Sequence, residues 1–333
     1  MRNSRQRCWP ARPGLRSAGV RWPIAAVVGV AVTAGITSGA AAAPVTDPGS
    51  GTAITTRVFD RATGEPVKGV CVLALPVPTF SLPKACPARS GGGGRVTVQV
   101  PGPGQYNLFA LPKLDSPYGA QWVGPDGGTG RQQQARRVTL AAGETKRVAQ
   151  VLLDPRATIS GWTHPRELPG VVSIAAPDPD VANDPRTTPI RPDGTFDIDW
   201  VGPYEWPVLL RLDGEAIQWS GGVGNRLIAE TVRAVPGGSA DRYEFHPGYT
   251  EARLFVQMAN GAPPCPDLRV FYRNVATRDV MGGTGLTSLL AGGQQIKIEY
   301  QCAGETRWYG GTDFDSATPV VVKYFAWLRV YLP

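Results

Sequence analysis

One pattern frames everything else in this chain: Ala120-Gln121-Trp122-Val123-Gly124 returns as Ile217-Gln218-Trp219-Ser220-Gly221 and again as Thr306-Arg307-Trp308-Tyr309-Gly310. The tryptophans stand 97 and then 89 residues apart. In each copy a β-rich run precedes the Trp, a Gly-rich loop follows it, and a Val-rich strand comes next. A block that recurs with the same internal order is one folding unit repeated, so the chain reads as three copies of one domain.

The segments between the tryptophans have the period of strands. Arg95-Val96-Thr97-Val98-Gln99-Val100 alternates, and in Thr195-Phe196-Asp197-Ile198-Asp199-Trp200 the apolar side chains share one face and the carboxylates the other. Turn signals such as Arg61-Ala62-Thr63-Gly64, Pro101-Gly102-Pro103-Gly104 and Pro192-Asp193-Gly194 recur about every 8 to 12 residues. About seven short strands per hundred residues, with no 3.6-residue period, predict an all-β chain of tandem β-sandwich domains. The expected boundaries are 51–153, 154–249 and 250–333, with a leader over 1–42 and a linker over 43–50.

The leader is read from six arginines before residue 22, an apolar run from Ile24 to Ile36, and Ala40-Ala41-Ala42-Ala43 as small residues for a signal peptidase. Its removal takes six of the 34 Lys and Arg and none of the 27 Asp and Glu, so the formal charge falls from +7 to +1. A basic total that belongs to an export segment is no footprint for nucleic acid. After cleavage no membrane contact is expected; the rival reading keeps Pro23 to Ala43 as an anchor. Export also suits the cysteines. Cys8 lies in the leader, which leaves Cys71, Cys86, Cys265 and Cys302 for an oxidising compartment. Four cysteines allow three pairings, and the repeat boundaries favour Cys71 with Cys86 and Cys265 with Cys302, each worth about 3–4 kcal/mol. With no C-x-x-C spacing and two histidines in the chain, neither a metal nor another cofactor is expected.

Thr63-Gly64-Glu65-Pro66-Val67-Lys68-Gly69-Val70-Cys71-Val72 resembles the opening of the carboxypeptidase regulatory-like domains, and Pro101-Gly102-Pro103-Gly104-Gln105-Tyr106 resembles their "pG-x-Y" strand. Pro192-Asp193-Gly194-Thr195-Phe196 and Gly202-Pro203-Tyr204 repeat the pieces in the second copy, while the third copy matches more loosely. The resemblance implies a prealbumin-like or starch-binding-like sandwich in a secreted protein of high-GC Gram-positive type. Its motifs are turns, and they specify a fold far better than an activity.

Trp122, Trp219 and Trp308, with Gln121 and Gln218 beside the first two, are the candidate ligand-binding residues. In one reading the indoles stack on sugar rings, as the starch-binding-like resemblance implies. In the other each Trp plugs the end of its sandwich, and recurrence in all copies favours this, because a repeated fold must repeat its packing. Asp193, Asp197 and Asp199 supply too few oxygens for calcium and read as a solvated strand face. His164 and His246 each precede a proline at a turn, with no nucleophile motif nearby. No catalytic constellation can be assembled, so an enzyme is not expected. The sequence predicts a secreted protein that binds a polysaccharide or cell-surface glycan, with a structural spacer or a dock for another exported protein as the alternative.

Overall fold

The computed structural model describes residues 51–333 apart from 84, 165, 167–168, 177–185, 214–215, 239–241, 247–250, 260–264, 266 and 284–285. The expected leader and linker lie outside the described residues. Strands follow one another along the chain, and a 3-10 turn, Gln132–Gln134, is set among them.

The strands form successive pairs of sheets, giving tandem β-sandwiches. In the first, Ala53–Asp60 lies between Arg95–Gln99, antiparallel, and Thr145–Arg147, parallel, and Val151–Leu153 continues the parallel side. Facing it, Gly104–Leu111 pairs with Cys71–Pro76, Gln121–Val123 and Arg137–Leu140. The second sandwich repeats the plan. Ala157–Thr163 sits between antiparallel Thr195–Val201 and parallel Tyr243–Phe245, opposite a sheet in which Leu209–Leu212 pairs with Gly170–Ser173 and Gln218–Trp219. In the third, Glu251–Met258 sits between antiparallel Thr287–Ala291 and parallel Trp327–Leu332. The sheet opposite has Gln294–Cys302 at its centre, flanked by Arg269–Asn274 and Glu305–Trp308.

Alternation decides which residues go inside. Val96 and Val98 are buried while Arg95, Thr97 and Gln99 are exposed, and Phe196, Ile198 and Trp200 face inward from Thr195–Val201. The glycine run before Arg95 is an ordered turn, closed by hydrogen bonds from the Gly94 N–H to the Gly91 carbonyl and from the Gly91 N–H to the Arg95 carbonyl, both 2.9 Å. Gly94 has φ +71°, and a Cβ there would meet the Val58 carbonyl oxygen at 2.3 Å, so the position takes no other residue without a backbone shift. Both disulfides are formed, Cys71–Cys86 and Cys265–Cys302, with Cα separations of 5.8 and 5.9 Å. Each staples one sandwich, and both fit an oxidising environment.

The cores are not three isolated islands. The first sandwich encloses Ile54, Val58, Val98, Leu108 and Leu140, and the third encloses Leu254, Ile296, Ile298 and Leu332. The core of the second, built on Ile159, Val172, Phe196 and Leu210, runs without a break into Leu73, Phe109 and Trp122 of the first.

Candidate functional site

The second sheet of each sandwich has a face on its own core and a face turned away, and the repeated Trp belongs to the face turned away. Along Gly104–Leu111, Tyr106, Leu108 and Ala110 enter the core of the first sandwich, whereas Phe109 and Leu111 leave it. Trp122 is paired with Phe109, so it leaves the core on the same side. It is nevertheless 1% exposed. Phe80 and Phe109 lie 4.5 and 5.0 Å from its ring, and Phe109 meets Trp206 of the second sandwich edge-on at 6.4 Å.

Trp219 repeats this one sandwich further on. It pairs with Leu209, whose side chain points away from the core that holds Leu210 and Leu212. The indole is fully buried among Leu209, Ala176, Ala229 and Met281, the last from the third sandwich. Each joint is sealed by backbone as well. The residue two before the Trp makes a parallel bridge to the next sandwich, Ala120 to Val201 and Ile217 to Leu290. At the first bridge Gly119 has no room for a Cβ, which would meet the Val201 carbonyl oxygen at 2.2 Å.

The glutamines are part of this masonry. Gln121 is buried; its Nε2 donates to the Leu152 carbonyl at 2.6 Å, and its Oε1 accepts from the Asp154 N–H and the Tyr204 hydroxyl, each at 3.2 Å. Tyr204 also donates to Asp154, which Arg61 holds at 3.0 Å, and burial together with that carboxylate pushes the phenol well above its ordinary pKa. Tyr204 therefore faces the first sandwich. The contact that Tyr106 makes to the Gly102 carbonyl, 2.8 Å, is made in the second copy by Trp206 to the Gly202 carbonyl, 3.0 Å, so Trp206 and not Tyr204 is the structural counterpart of Tyr106. Gln218 is buried, and its Nε2, like the Trp219 Nε1, has no hydrogen-bond partner among the described residues. Trp122, Trp219, Gln121 and Gln218 thus offer nothing to solvent. A sugar could stack on either indole only if the sandwiches parted.

Trp308 occupies the corresponding strand of the third sandwich but meets a different neighbour. It pairs with Glu299, on the face opposite Ile298 and Tyr300, and stays half-buried. Here the sheet is covered by its own chain: Phe314 packs edge-on to Trp308 at 5.7 Å, and Arg278 and Lys297 lie 4.4 and 4.8 Å from the Phe314 ring. Lys297 Nζ donates to the carbonyls of Phe314 and Asp315 at 2.5 and 3.0 Å, and Arg273 pairs with Glu299 at 2.5 Å.

A buried ion pair that sequence reasoning missed joins all three sandwiches. Arg226, in the loop after Trp219, meets Asp279 of the third sandwich at 3.0 Å, with both side chains almost wholly buried. Its guanidinium also donates to Gln132 Oε1 at 2.5 Å and to the Pro78 carbonyl, and it lies over Phe80, all three in the first. Burial pushes the Asp279 carboxyl up to about 6 against the pull of Arg226, and it draws the Arg226 pKa down. Nothing local in the sequence marks the pair, since its members are 53 residues apart.

The remaining candidates are placed plainly. Asp197 and Asp199 are bound by Arg191 and Arg156 at 2.7 and 2.6 Å, and Asp193 accepts from Thr195, which holds its carboxyl below the usual range. His164 and His246 come together, ring centres 5.8 Å apart, beside Trp162. No helix among the described residues is long and apolar enough to cross a membrane.

No protein-family model matches the chain, and no curated protein does. The likeness to carboxypeptidase regulatory-like domains therefore rests on the turn motifs alone. Among solved structures, the TIE protein of Bacillus anthracis matches at 9% identity and a TM-score of 0.23, over 85% of this chain and 51% of that one. The major pilin subunit BcpA of Bacillus cereus matches at 10% and 0.19, over 84% and 98%. The full-length major pilin SpaD of Corynebacterium diphtheriae matches at 10% and 0.21, over 84% and 96%. The chain spans about half the length of the first of these. At such scores no residue of this chain acquires a role from them.

Proposed function

We propose that this protein is a non-catalytic structural module of the cell exterior, a rigid array of three β-sandwiches that holds or spaces other surface components. The observation that carries the reading is the position of Trp122 and Trp219, outside their own sandwich cores and yet closed to solvent by the next sandwich. An indole buries about 150–250 Å², or about 4–6 kcal/mol at roughly 25 cal/mol per Å². Even a third of that, assigned to the neighbouring sandwich, holds a joint closed by about ten to one. The bridges at Ala120 and Ile217 and the Arg226–Asp279 pair act in the same direction. A flexible string of beads has no use for such joints.

Calorimetry with small-angle scattering on the mature protein tests the reading. A rigid array unfolds in one cooperative transition and scatters as a single shape. Three independent transitions, with scattering that requires an ensemble of interdomain angles, would overturn it. Fractionating the producing cells checks the location, and recovery of the protein in the cytosol with reduced cysteines would count against an exterior role.

A further inference from the structure

The outward face of the other sheet of the third sandwich differs from everything described so far. Along Trp327–Leu332 the side chains of Val330 and Leu332 go into the core while Trp327, Arg329 and Tyr331 point out. On the neighbouring Glu251–Met258 strand Arg253, Phe255 and Gln257 point out in register with them, paired Arg253 to Trp327, Phe255 to Arg329 and Gln257 to Tyr331. Trp327 is 72% and Tyr331 53% exposed. An indole left this open forgoes most of the stabilisation that burial would bring.

The rings are arranged as a platform and not as a plug. Trp327 and Phe255 lie 5.7 Å apart with their planes inclined by only 34°, and Tyr331 continues the row four residues along the strand, about 13 Å from Trp327. The charge is one-sided. Arg253 lies 5.6 Å over the Trp327 ring, Arg329 stands between Trp327 and Tyr331, and neither guanidinium is in an ion pair among the described residues. The acid on this face of the strand, Glu251, is taken up by the Ala216 N–H at 2.8 Å in the joint with the second sandwich.

We propose that this face binds a linear polysaccharide of uronic acids. A row of exposed aromatic rings suits the apolar faces of sugar rings, and guanidiniums without an ion-pair partner suit carboxylates, which they bind with a two-pronged fork. In a uronate the carboxylate is carried on the sugar ring itself, so one residue stacked on the open face of Trp327 brings its charge near Arg253, whose guanidinium lies 5.6 Å from the centre of the same indole. A phosphodiester-linked glycan carries its charge between the rings and does not meet that geometry as directly. A folded protein partner fits the size poorly. Three strands about 4.8 Å apart and six residues long span roughly 280 Å², about a third of the roughly 800 Å² that each side of a stable protein interface buries.

Affinity electrophoresis and titration calorimetry of the mature protein with polygalacturonate, amylose and polymeric teichoic acid test this. Polygalacturonate is expected to retard the protein and to release it as salt rises, with amylose ineffective and teichoic acid weaker. Trp327→Ala and Arg253→Gln are each expected to weaken binding about ten-fold, while Arg253→Lys restores part of it. Both side chains are exposed, so an unchanged melting temperature separates lost binding from lost fold. Equal retardation by amylose, binding that survives the double substitution Trp327→Ala with Arg253→Gln, or no binding to polygalacturonate at all would each overturn the proposal. So would sedimentation showing that Trp327→Ala dissolves a dimer, since the face would then belong to a second copy. The rigidity of the array is read by a different measurement and stands or falls separately.

Discussion

Trp219 and Trp308 sit on the same strand of the same plan, and they behave differently. Trp219 is sealed among Ala176, Leu209 and Met281 with the third sandwich laid over it, whereas Trp308 leans on Phe314 of its own loop, whose ring is held by Arg278 and by Lys297 of the sheet beneath. The face is the same and the cover differs. What a repeated residue does in a tandem array is therefore set by what lies beyond its sheet. Where a neighbouring sandwich packs on it, the outer face is apolar and becomes a joint; on the third sandwich the chain lays its own loop over that face, held by Lys297 and Arg278.

The comparison breaks most visibly at the joints. Trp219→Ala is expected to cost about 3–5 kcal/mol, and because the indole belongs to the contact and not to either core, the loss should appear as a split of the single calorimetric transition, with the third sandwich melting first. Trp122→Ala should do the same between the first and second sandwiches. If either variant melts as one unit at a merely lower temperature, the Trp is core and the joint lies elsewhere.

Next in size is the ion pair. Asp279→Ala leaves Arg226 buried and is expected to cost about 3 kcal/mol, the lower end for a broken buried pair, because Gln132 and the Pro78 carbonyl still accept from the guanidinium. The double replacement Arg226→Met with Asp279→Leu should recover only part of the loss, since the two apolar groups need no partners of their own but leave Gln132 and the Pro78 carbonyl without their donor. A denaturant double-mutant cycle measures it.

Acid gives a smaller and more specific effect. The Asp279 carboxyl is held near 6 in the fold against 3.8 in the unfolded chain, so the folded protein binds this proton more tightly. The corresponding stability is fully present below about pH 4 and lost as the pH rises through about 6. The wild-type protein should therefore gain on Asp279→Asn as the pH is lowered from 7 to 5, read as a difference in melting temperature that shifts with pH. A constant difference would mean that Arg226 keeps the carboxyl ionised throughout.

Much of this was legible in the sequence, and what was not has a common cause. The tryptophan period, the alternation in Thr195–Val201 and the pairing of Cys71 with Cys86 are local or periodic, and they survive into three dimensions. The face taken by Trp122 is not local: Gln121–Val123 is too short for alternation to speak, and all three of its residues are buried, because a second sandwich closes what would otherwise be its outer side. Gln121 has the composition of a binding residue and the surroundings of a structural one. Arg226 and Asp279 read as two surface charges until the loops that carry them are brought together. The outward aromatic row was readable in principle. Trp327-Leu328-Arg329-Val330-Tyr331-Leu332 alternates, and its largest residues fall on the wet side.

The smallest expected effect is the one that most sharply separates the two tryptophans. Trp308→Ala removes one edge-on ring contact, worth about 0.5–1.5 kcal/mol beyond the partial burial of the indole, and it should leave the number of calorimetric transitions unchanged. The cover itself depends on Lys297, whose ammonium is spent on two carbonyls and the Phe314 ring, so Lys297→Met should loosen the 310–319 loop to proteolysis more than Trp308→Ala does. If instead Trp308→Ala destabilises as much as Trp219→Ala, the loop is not what covers this face of the third sandwich. Its Trp would then be doing at the end of the described array what the other two do within it, and a further body would have to cover that face.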